Sequence, residues 1–122
     1  MKILMVTAET VPFAKTGGLA DMVSALAIQL TKMGYDVKIV MPRYYKIDRS
    51  KLVKLEGPMA IAAGTVETWS AVYTTTMPGC EKLPVYFIDH EQCFGRDGVY
   101  GVPSETDFHD NPYRFAVLCH GA

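Results

Sequence analysis

A lysine and two adjacent glycines near the start of the chain have the types and spacing expected of an anion-binding loop. They lie in the segment Lys15–Asp21, which reads Lys-Thr-Gly-Gly-Leu-Ala-Asp. A helix that begins here leaves its first backbone N–H groups without internal partners, and its peptide dipoles add partial positive charge. Gly17 and Gly18 carry no Cβ, so a ligand can approach their backbone closely. Together with the charge of Lys15, this predicts a site for an anion such as a phosphate.

The same residues also have a plainer interpretation. A Gly-Gly pair before a helix is often only a turn, and an exposed lysine is often only a solvated charge. The segment matches neither the Walker loop nor the G-x-G-x-x-G dinucleotide fingerprint. Spacing alone therefore leaves both interpretations open.

The elements around the loop predict a strand–helix–strand unit. Residues 2–7 are rich in aliphatic side chains, which is typical of a strand buried on both faces. The next residues predict a helix that ends at Gly34, because five apolar residues recur at intervals of three and four: Leu19, Val23, Leu26, Leu30 and Met33. A second aliphatic run, Val37–Met41, predicts a parallel strand stopped by Pro42. The glycine loop then lies at the carboxyl edge of the first strand, where open α/β sheets bind ligands.

A basic and aromatic cluster, Arg43–Lys46, follows the second strand at the same edge. Such a cluster could contact a sugar or a phosphate, although a solvated loop is the commoner role for these residue types.

The middle of the chain predicts an antiparallel insert. Residues 52–76 contain many β-branched and aromatic side chains, and Gly57-Pro58 and Gly64 punctuate them. This pattern favours two or three short antiparallel strands. Residues 83–89 then predict a further buried strand, with Pro84 near its start, where a missing N–H matters least. The fold class is therefore α/β, with a mostly parallel sheet that carries an antiparallel hairpin insert.

Residues Phe94–Gly101 contain three glycines and predict an irregular loop. Long loops inside compact domains are usually functional or mobile. The plainer interpretation of its charged residues is that Arg96 and Asp97 only pair with each other at the surface.

A last helix is predicted after this loop, since Asp110 or Asn111 can cap it and Pro112 is tolerated in a first turn. Its apolar face has only begun when the sequence stops. We therefore expect residues 1–122 to be a single lobe of a natural chain that continues beyond Ala122.

The composition excludes several classes of function. The 122 residues are 49% hydrophobic and carry a formal net charge of −1, which argues against a nucleic-acid footprint. No apolar run approaches the ~18 residues of a membrane span. The three cysteines form no C-x-x-C pair, and their odd number fits reduced thiols in a cytoplasmic protein: Cys80, Cys93 and Cys119. The histidines are scattered, and His90-x-x-Cys93 is a lone pair, so we predict no metal site and no cofactor.

Taken together, these segments resemble the N-terminal end of the bacterial glycogen synthases and plant starch synthases. The most specific part is Ala8-Glu9 followed by Pro12–Asp21, because the Lys-Thr-Gly-Gly-Leu block is a hallmark of that family. Four further matches occur in the right order: Met41–Tyr44, Tyr86–Asp89, Phe94–Gly101, and Asp110–Asn111 with Arg114–Ala116. The resemblance covers nearly the whole chain.

The resemblance implies the B-type glycosyltransferase architecture, in which two Rossmann-like lobes enclose a cleft. Residues 1–122 would form the N-terminal catalytic lobe, without the C-terminal nucleotide-binding lobe. The implied reaction is retaining transfer of glucose from ADP-glucose to the non-reducing 4-hydroxyl of an α-1,4-glucan such as glycogen, without a metal or cofactor. Other two-lobe synthases, of the sucrose or trehalose type, share the fold but lack this lysine-glycine block.

By the same resemblance, Lys15 contacts the phosphates of ADP-glucose, and Gly17 and Gly18 offer backbone N–H groups to the same region. Glu9 and Asp21 are expected to line the cleft near donor or acceptor. No residue of this chain is assigned as catalytic, and we expect the 122-residue piece alone to be inactive. The alternative is a stand-alone nucleotide- or glucan-binding α/β module without catalysis.

Overall fold

The computed structural model describes all 122 residues, and it contains one mixed sheet with helices packed on it. The elements in chain order are β1 (Lys2–Val6), α1 (Gly18–Lys32), β2 (Asp36–Pro42), a 3₁₀ turn (Arg49–Lys51), β3 (Val53–Lys54), β4 (Met59–Ala63), β5 (Val66–Met77), β6 (Cys80–Asp89), α2 (Glu91–Phe94) and α3 (Asn111–Gly121).

The sheet has the strand order β1-β2-β6-β5-β3, and β4 pairs with β5. Strand β2 is parallel to both β1 and β6, which confirms the predicted strand–helix–strand unit. Strands β3, β4 and β6 are antiparallel to β5, which confirms the predicted antiparallel insert. Pro84 lies within β6 opposite Thr76, beside the point where the pairing register shifts.

Helix α1 ends at Lys32 with Met33 as its cap, and Gly34 follows as the predicted stop, with a φ of +93° in the left-handed region. The buried face of α1 only partly overlaps the predicted stripe, of which Val23 is buried and Leu30 packs against the core. Ala20, Val23 and Ala27 are the buried residues, whereas three members of the predicted stripe are exposed: Leu19, Leu26 and Met33. Residues on any face of an α-helix recur at intervals of three and four. The spacing of the apolar residues therefore predicts that the segment is helical, but it does not show which face packs against the sheet. The small alanine side chains let the helix approach the sheet closely.

Strand β1 is the edge of the sheet, and the prediction that it is buried on both faces is wrong. Leu4 is 50% exposed and Val6 is 43% exposed, whereas Ile3 and Met5 pack against the core. Alternate residues of a strand point to opposite faces, and only one face of β1 is covered by the rest of the chain. The aliphatic composition of a strand does not show which of its two faces packs against other elements.

The core lies on both faces of the central strands. The Phe87 ring meets the Phe13 ring edge-on at 5.0 Å, on the side of the loop before α1. The next residue, Ile88, points to the opposite face and packs against the end of α3. There a Cβ at Gly121 would lie 2.8 Å from Ile88 Cδ1 and 3.0 Å from Ile61 Cδ1, so glycine permits this close approach.

Helix α3 forms as predicted, with Asp110 at its N-cap and Pro112 in its first turn. The Asp110 side chain makes no capping hydrogen bond, because Arg96 occupies the carboxylate. All three cysteines are free thiols. None of the helices is long and apolar enough to cross a bilayer.

Candidate functional site

The glycine loop leaves an uncapped helix end at the surface. Gly17 precedes α1 with an extended backbone (φ −161°, ψ −159°), and no side chain caps the helix. No atom lies within 4 Å of a Cβ built on Gly17 or Gly18, so the backbone is open to close approach. The first N–H groups of α1 have no acceptor within the helix and are available to an anion.

Lys15 lies beside this helix end and forms an ion pair with Asp21 in the first turn of α1. The Lys15 Nζ atom is 2.7 Å from Asp21 Oδ2, and both side chains are more than half exposed. The structure thus brings four of the predicted site residues together at one end of α1: Lys15, Gly17, Gly18 and Asp21. A solvent-exposed ion pair of this kind contributes about 0.2–1 kcal/mol, so the Lys15 charge is loosely held.

Glu9 lies beneath the loop instead of on its surface, with 1% of its area exposed. Its Oε2 atom accepts a hydrogen bond from the Thr16 N–H at 2.8 Å and another from the Thr16 hydroxyl at 2.6 Å. The direct partner of Glu9 is therefore the loop itself.

A cavity of about 350 Å³ opens next to Lys15. Three segments line the cavity. They are residues 12–16, which lead into the Gly17–Gly18 pair; the turn after β2; and the glycine-rich loop, which follows α2 within residues 94–101. The lining residues are Pro12, Phe13, Ala14, Lys15, Thr16, Tyr44, Lys46, Arg96, Gly98 and Val99. Gly17 and Gly18 follow Thr16 directly along the chain but are not part of the wall.

Two further cations line this cavity, and each is paired with a carboxylate. Lys46 Nζ lies 3.5 Å from Asp97 Oδ1, with both side chains largely exposed. Arg96 makes a two-fold contact with Asp110, in which its Nη1 donates to Oδ1 at 2.7 Å. The predicted pairing of Arg96 with Asp97 is wrong, because the loop turns these neighbours toward different partners. The hydrogen bond from Arg96 holds the pKa of Asp110 below its ordinary value.

Tyr44 forms the wall between the glycine loop and the glycine-rich loop. Its hydroxyl donates to the Ala8 carbonyl oxygen at 2.6 Å, and its ring meets the Phe94 ring edge-on. Burial raises the pKa of the Tyr44 phenol well above its ordinary value, so it remains a neutral donor. The segment Arg43–Lys46 is therefore not a simple solvated loop: Arg43 and Tyr44 are buried, while Tyr45 is exposed.

Arg43 holds this turn in place from within. Its Nε donates to Asp89 Oδ1 at 2.9 Å, and its Nη1 donates to the Ile47 carbonyl oxygen at 3.0 Å. Both members of the Arg43–Asp89 pair are almost fully buried. The partners are 46 residues apart, and only the parallel pairing of β2 with β6 brings them together.

Arg114 has a similar supporting role for the glycine-rich loop, and sequence reasoning assigned it none. It is fully buried on α3 and donates to the carbonyl oxygens of Cys93 at 2.5 Å and Val99 at 2.8 Å. Burial lowers the pKa of its guanidinium. Asn111 Oδ1 accepts a third hydrogen bond from Arg114, at 2.8 Å. No local pattern in the sequence indicates these contacts, because two of the three acceptors are backbone carbonyl groups of a distant loop.

His90 is the N-cap residue of α2, and Cys93 lies within that helix. The His90 Nδ1 atom accepts a hydrogen bond from the Cys93 N–H at 3.3 Å, and Nε2 lies 2.6 Å from the Thr68 hydroxyl. The chain contains no cluster of three or more His, Cys, Asp or Glu side chains that could hold a metal ion.

Comparison with known proteins gives consistent matches along the whole chain. A family model described as the starch synthase catalytic domain matches residues 2–122. The glycogen synthase of Treponema denticola is 58% identical over 122 residues, which are all of this chain and 25% of that protein. Glycogen synthase 1 of Geobacter metallireducens is 44% identical over 125 residues, which cover 100% of this chain and 24% of that protein. The chain thus spans about a quarter of the length of these curated relatives.

A solved structure shows the same fold. The catalytic domain of starch synthase IV from Arabidopsis thaliana, bound to ADP and acarbose, matches with a TM-score of 0.80 and 26% sequence identity. The match covers 98% of this chain and 24% of that one. It confirms the predicted Rossmann-like lobe with a mixed sheet.

Proposed function

The chain belongs to the starch synthase catalytic domain family, and from this premise we propose that it is the N-terminal lobe of a glycogen synthase. The proposed reaction is the retaining transfer of glucose from ADP-glucose to the non-reducing 4-hydroxyl of an α-1,4-glucan such as glycogen. Two findings support it: the glycogen synthase relatives, and the ADP and acarbose bound to the starch synthase IV neighbour.

A C-terminal nucleotide-binding lobe completes the proposed enzyme. The relatives are about four times as long as this chain, which leaves ample length for a second lobe across the cleft. The 122-residue chain alone is expected to transfer no glucose. Its three free thiols fit a reducing compartment, and we place the enzyme in the cytoplasm.

The position of Lys15 is the observation that carries the assignment of the site. Lys15 lines the cavity, and its ammonium group lies beside Asp21 at the open N-terminus of α1. As the bond between glucose C1 and the diphosphate breaks, negative charge accumulates on the diphosphate. Lys15 and the N–H groups of Gly17 and Gly18 would stabilise that charge from fixed positions, without having to reorganise.

Asp21 does not prevent this role, because the magnitudes favour the diphosphate. The exposed Lys15–Asp21 pair contributes about 0.2–1 kcal/mol, whereas a hydrogen bond to a charged group contributes about 1.5–3 kcal/mol. Millimolar affinity requires about 4 kcal/mol. One lysine and one helix end therefore give weak binding, and tight binding of the donor requires the second lobe.

Lys15→Ala in the full-length protein tests the assignment. We expect the kcat/KM for ADP-glucose to fall about 10- to 100-fold, the equivalent of one charge-assisted hydrogen bond. The measurement is glucose incorporation into glycogen at varied ADP-glucose concentration. Lys32→Ala is the matched control, because Lys32 occupies the last turn of the same helix.

Equal activity of the Lys15→Ala and Lys32→Ala variants would contradict the role of Lys15. A full-length protein that binds ADP-glucose and glycogen but transfers no glucose would establish the binding-module alternative instead.

A further inference from the structure

Thr16, next to Lys15, makes two hydrogen bonds to the Glu9 carboxylate, one from its N–H and one from its hydroxyl; Glu9 is buried and Thr16 is exposed. Resting on the proposed function, we propose that Glu9 is a positioning residue. It holds the loop in the conformation that directs Lys15 and the Gly17–Gly18 amides at the diphosphate of the donor. This role differs from direct contact with donor or acceptor at the cleft surface.

The chemistry of Glu9 supports this role. A buried carboxylate is costly unless hydrogen bonds or a cation compensate it. Glu9 is 1% exposed and takes part in none of the ion pairs of the chain. Two hydrogen bonds to Glu9 Oε2 compensate the cost of burying the carboxylate. The Thr16 N–H donates one at 2.8 Å, and the Thr16 hydroxyl donates the other at 2.6 Å. Because both bonds converge on one oxygen atom, Thr16 is restrained in position and in rotamer.

The base of the loop is also fixed, so Glu9 does not move with its partner. The Thr7 hydroxyl donates to the Glu9 carbonyl oxygen at 2.8 Å. The N–H groups of Phe13 and Ala14 both donate to the Thr10 carbonyl oxygen at 3.0 Å. A restrained segment therefore extends from the end of β1 to Thr16.

The residues assigned to the diphosphate flank Thr16 on both sides and have few restraints of their own. Lys15 has only its exposed pair with Asp21, and a Cβ on Gly17 would contact nothing. The Ala14 hydrogen bond restrains the chain before Lys15, and the Thr16–Glu9 contact restrains it between Lys15 and Gly17. A displacement of about 1 Å at a binding group can reduce a rate about 100-fold, so release of this contact should impair the use of the donor.

Thr16→Val in the full-length protein removes the hydroxyl and retains the N–H and the shape of the side chain. We expect the KM for ADP-glucose to rise about tenfold, with the KM for glycogen unchanged. Thr16→Ser keeps both donors and should restore the donor KM to within about twofold. Thr31→Val is the control, because Thr31 donates its hydroxyl to the Ala27 carbonyl oxygen at 2.8 Å, within α1.

A second measurement does not depend on activity. Glu9→Gln weakens the acceptor without changing residues at the Lys15–Thr16 bond, so trypsin should cut after Lys15 about tenfold faster than in the unmodified protein. Mass spectrometry of the released peptide measures the cut, and an unchanged thermal midpoint separates loop release from global unfolding.

Two outcomes would overturn the inference. One is an unchanged donor KM in Thr16→Val, whatever the donor KM of Glu9→Gln, and the other is tryptic cleavage at the unmodified rate in a folded Glu9→Gln protein. If the full-length protein transfers no glucose while Glu9→Gln still accelerates cleavage, the proposed function fails and the restraint of the loop by Glu9 stands. If Lys15→Ala leaves donor use intact, only the role of Lys15 fails. Should Glu9→Gln not fold, the comparison of Thr16→Val with Thr16→Ser decides.

Discussion

Replacement of Arg114 by methionine should destabilise the lobe by releasing the wall of the cavity. Arg114 is fully buried between α3 and the glycine-rich loop, and it has no carboxylate partner. It donates to the Cys93 and Val99 carbonyl oxygens and to Asn111 Oδ1. Its guanidinium carbon lies within 5.6 Å of the centroids of three aromatic rings, those of Phe94, Phe108 and Phe115.

The magnitude follows from the groups left behind. Arg114→Met keeps the length of the side chain but leaves two buried carbonyl oxygens without donors, which costs about 2–6 kcal/mol in all. The substitution also removes Nη2, a buried donor with no acceptor, which returns about 1–3 kcal/mol. The expected net loss in the free energy of unfolding is about 2 kcal/mol, or about 8 °C in Tm for a domain of this size.

Urea and thermal unfolding, followed by circular dichroism, measure this loss. Arg49→Met is the matched control, because Arg49 is 45% exposed and its buried partner Asp89 keeps a second cation, Arg43, when Arg49 is removed; it should cost about 0–1 kcal/mol. An Arg114→Met protein within about 1 kcal/mol of the unmodified protein would refute the reasoning. The aromatic packing, and not the hydrogen bonds, would then hold the loop.

Further predictions concern acid stability and two glycines. The hydrogen bond from Arg96 lowers the pKa of Asp110, so its contribution to stability is present above the ordinary carboxyl pKa and is lost as the pH falls through the folded-state pKa. Thermal melts from neutral pH to about pH 2 should show a steeper loss for the unmodified protein than for Asp110→Asn; parallel curves would contradict this. Gly34→Ala should cost about 1 kcal/mol in urea unfolding, because its φ is +93°. Gly18→Ala, at a helical position with open space around its Cβ, should instead stabilise by about 0.5 kcal/mol, and the same sign for both would refute the backbone argument.

The order of the strands and helices could be predicted from the sequence because its signals are local. Aliphatic runs predicted β1, β2 and β6, and the β-branched stretch predicted the antiparallel insert. Gly34 ended α1 where a left-handed residue was needed. The Lys-Thr-Gly-Gly-Leu block indicated the family, and the strand–helix–strand pattern around it predicted a loop at the carboxyl end of β1.

Tertiary structure alone decided which side chains meet. The Ala20 face of α1 packs inward, Leu4 on β1 stays exposed, and Arg96 pairs with Asp110 instead of its neighbour Asp97. Glu9 is buried under Thr16, although its place in the sequence equally suited an exposed cleft residue. The physical reason is that residue type and period describe what each segment can bury or bind. The partners themselves come from segments far apart in the chain, and only the closed packing of the sheet, helices and loops selects them.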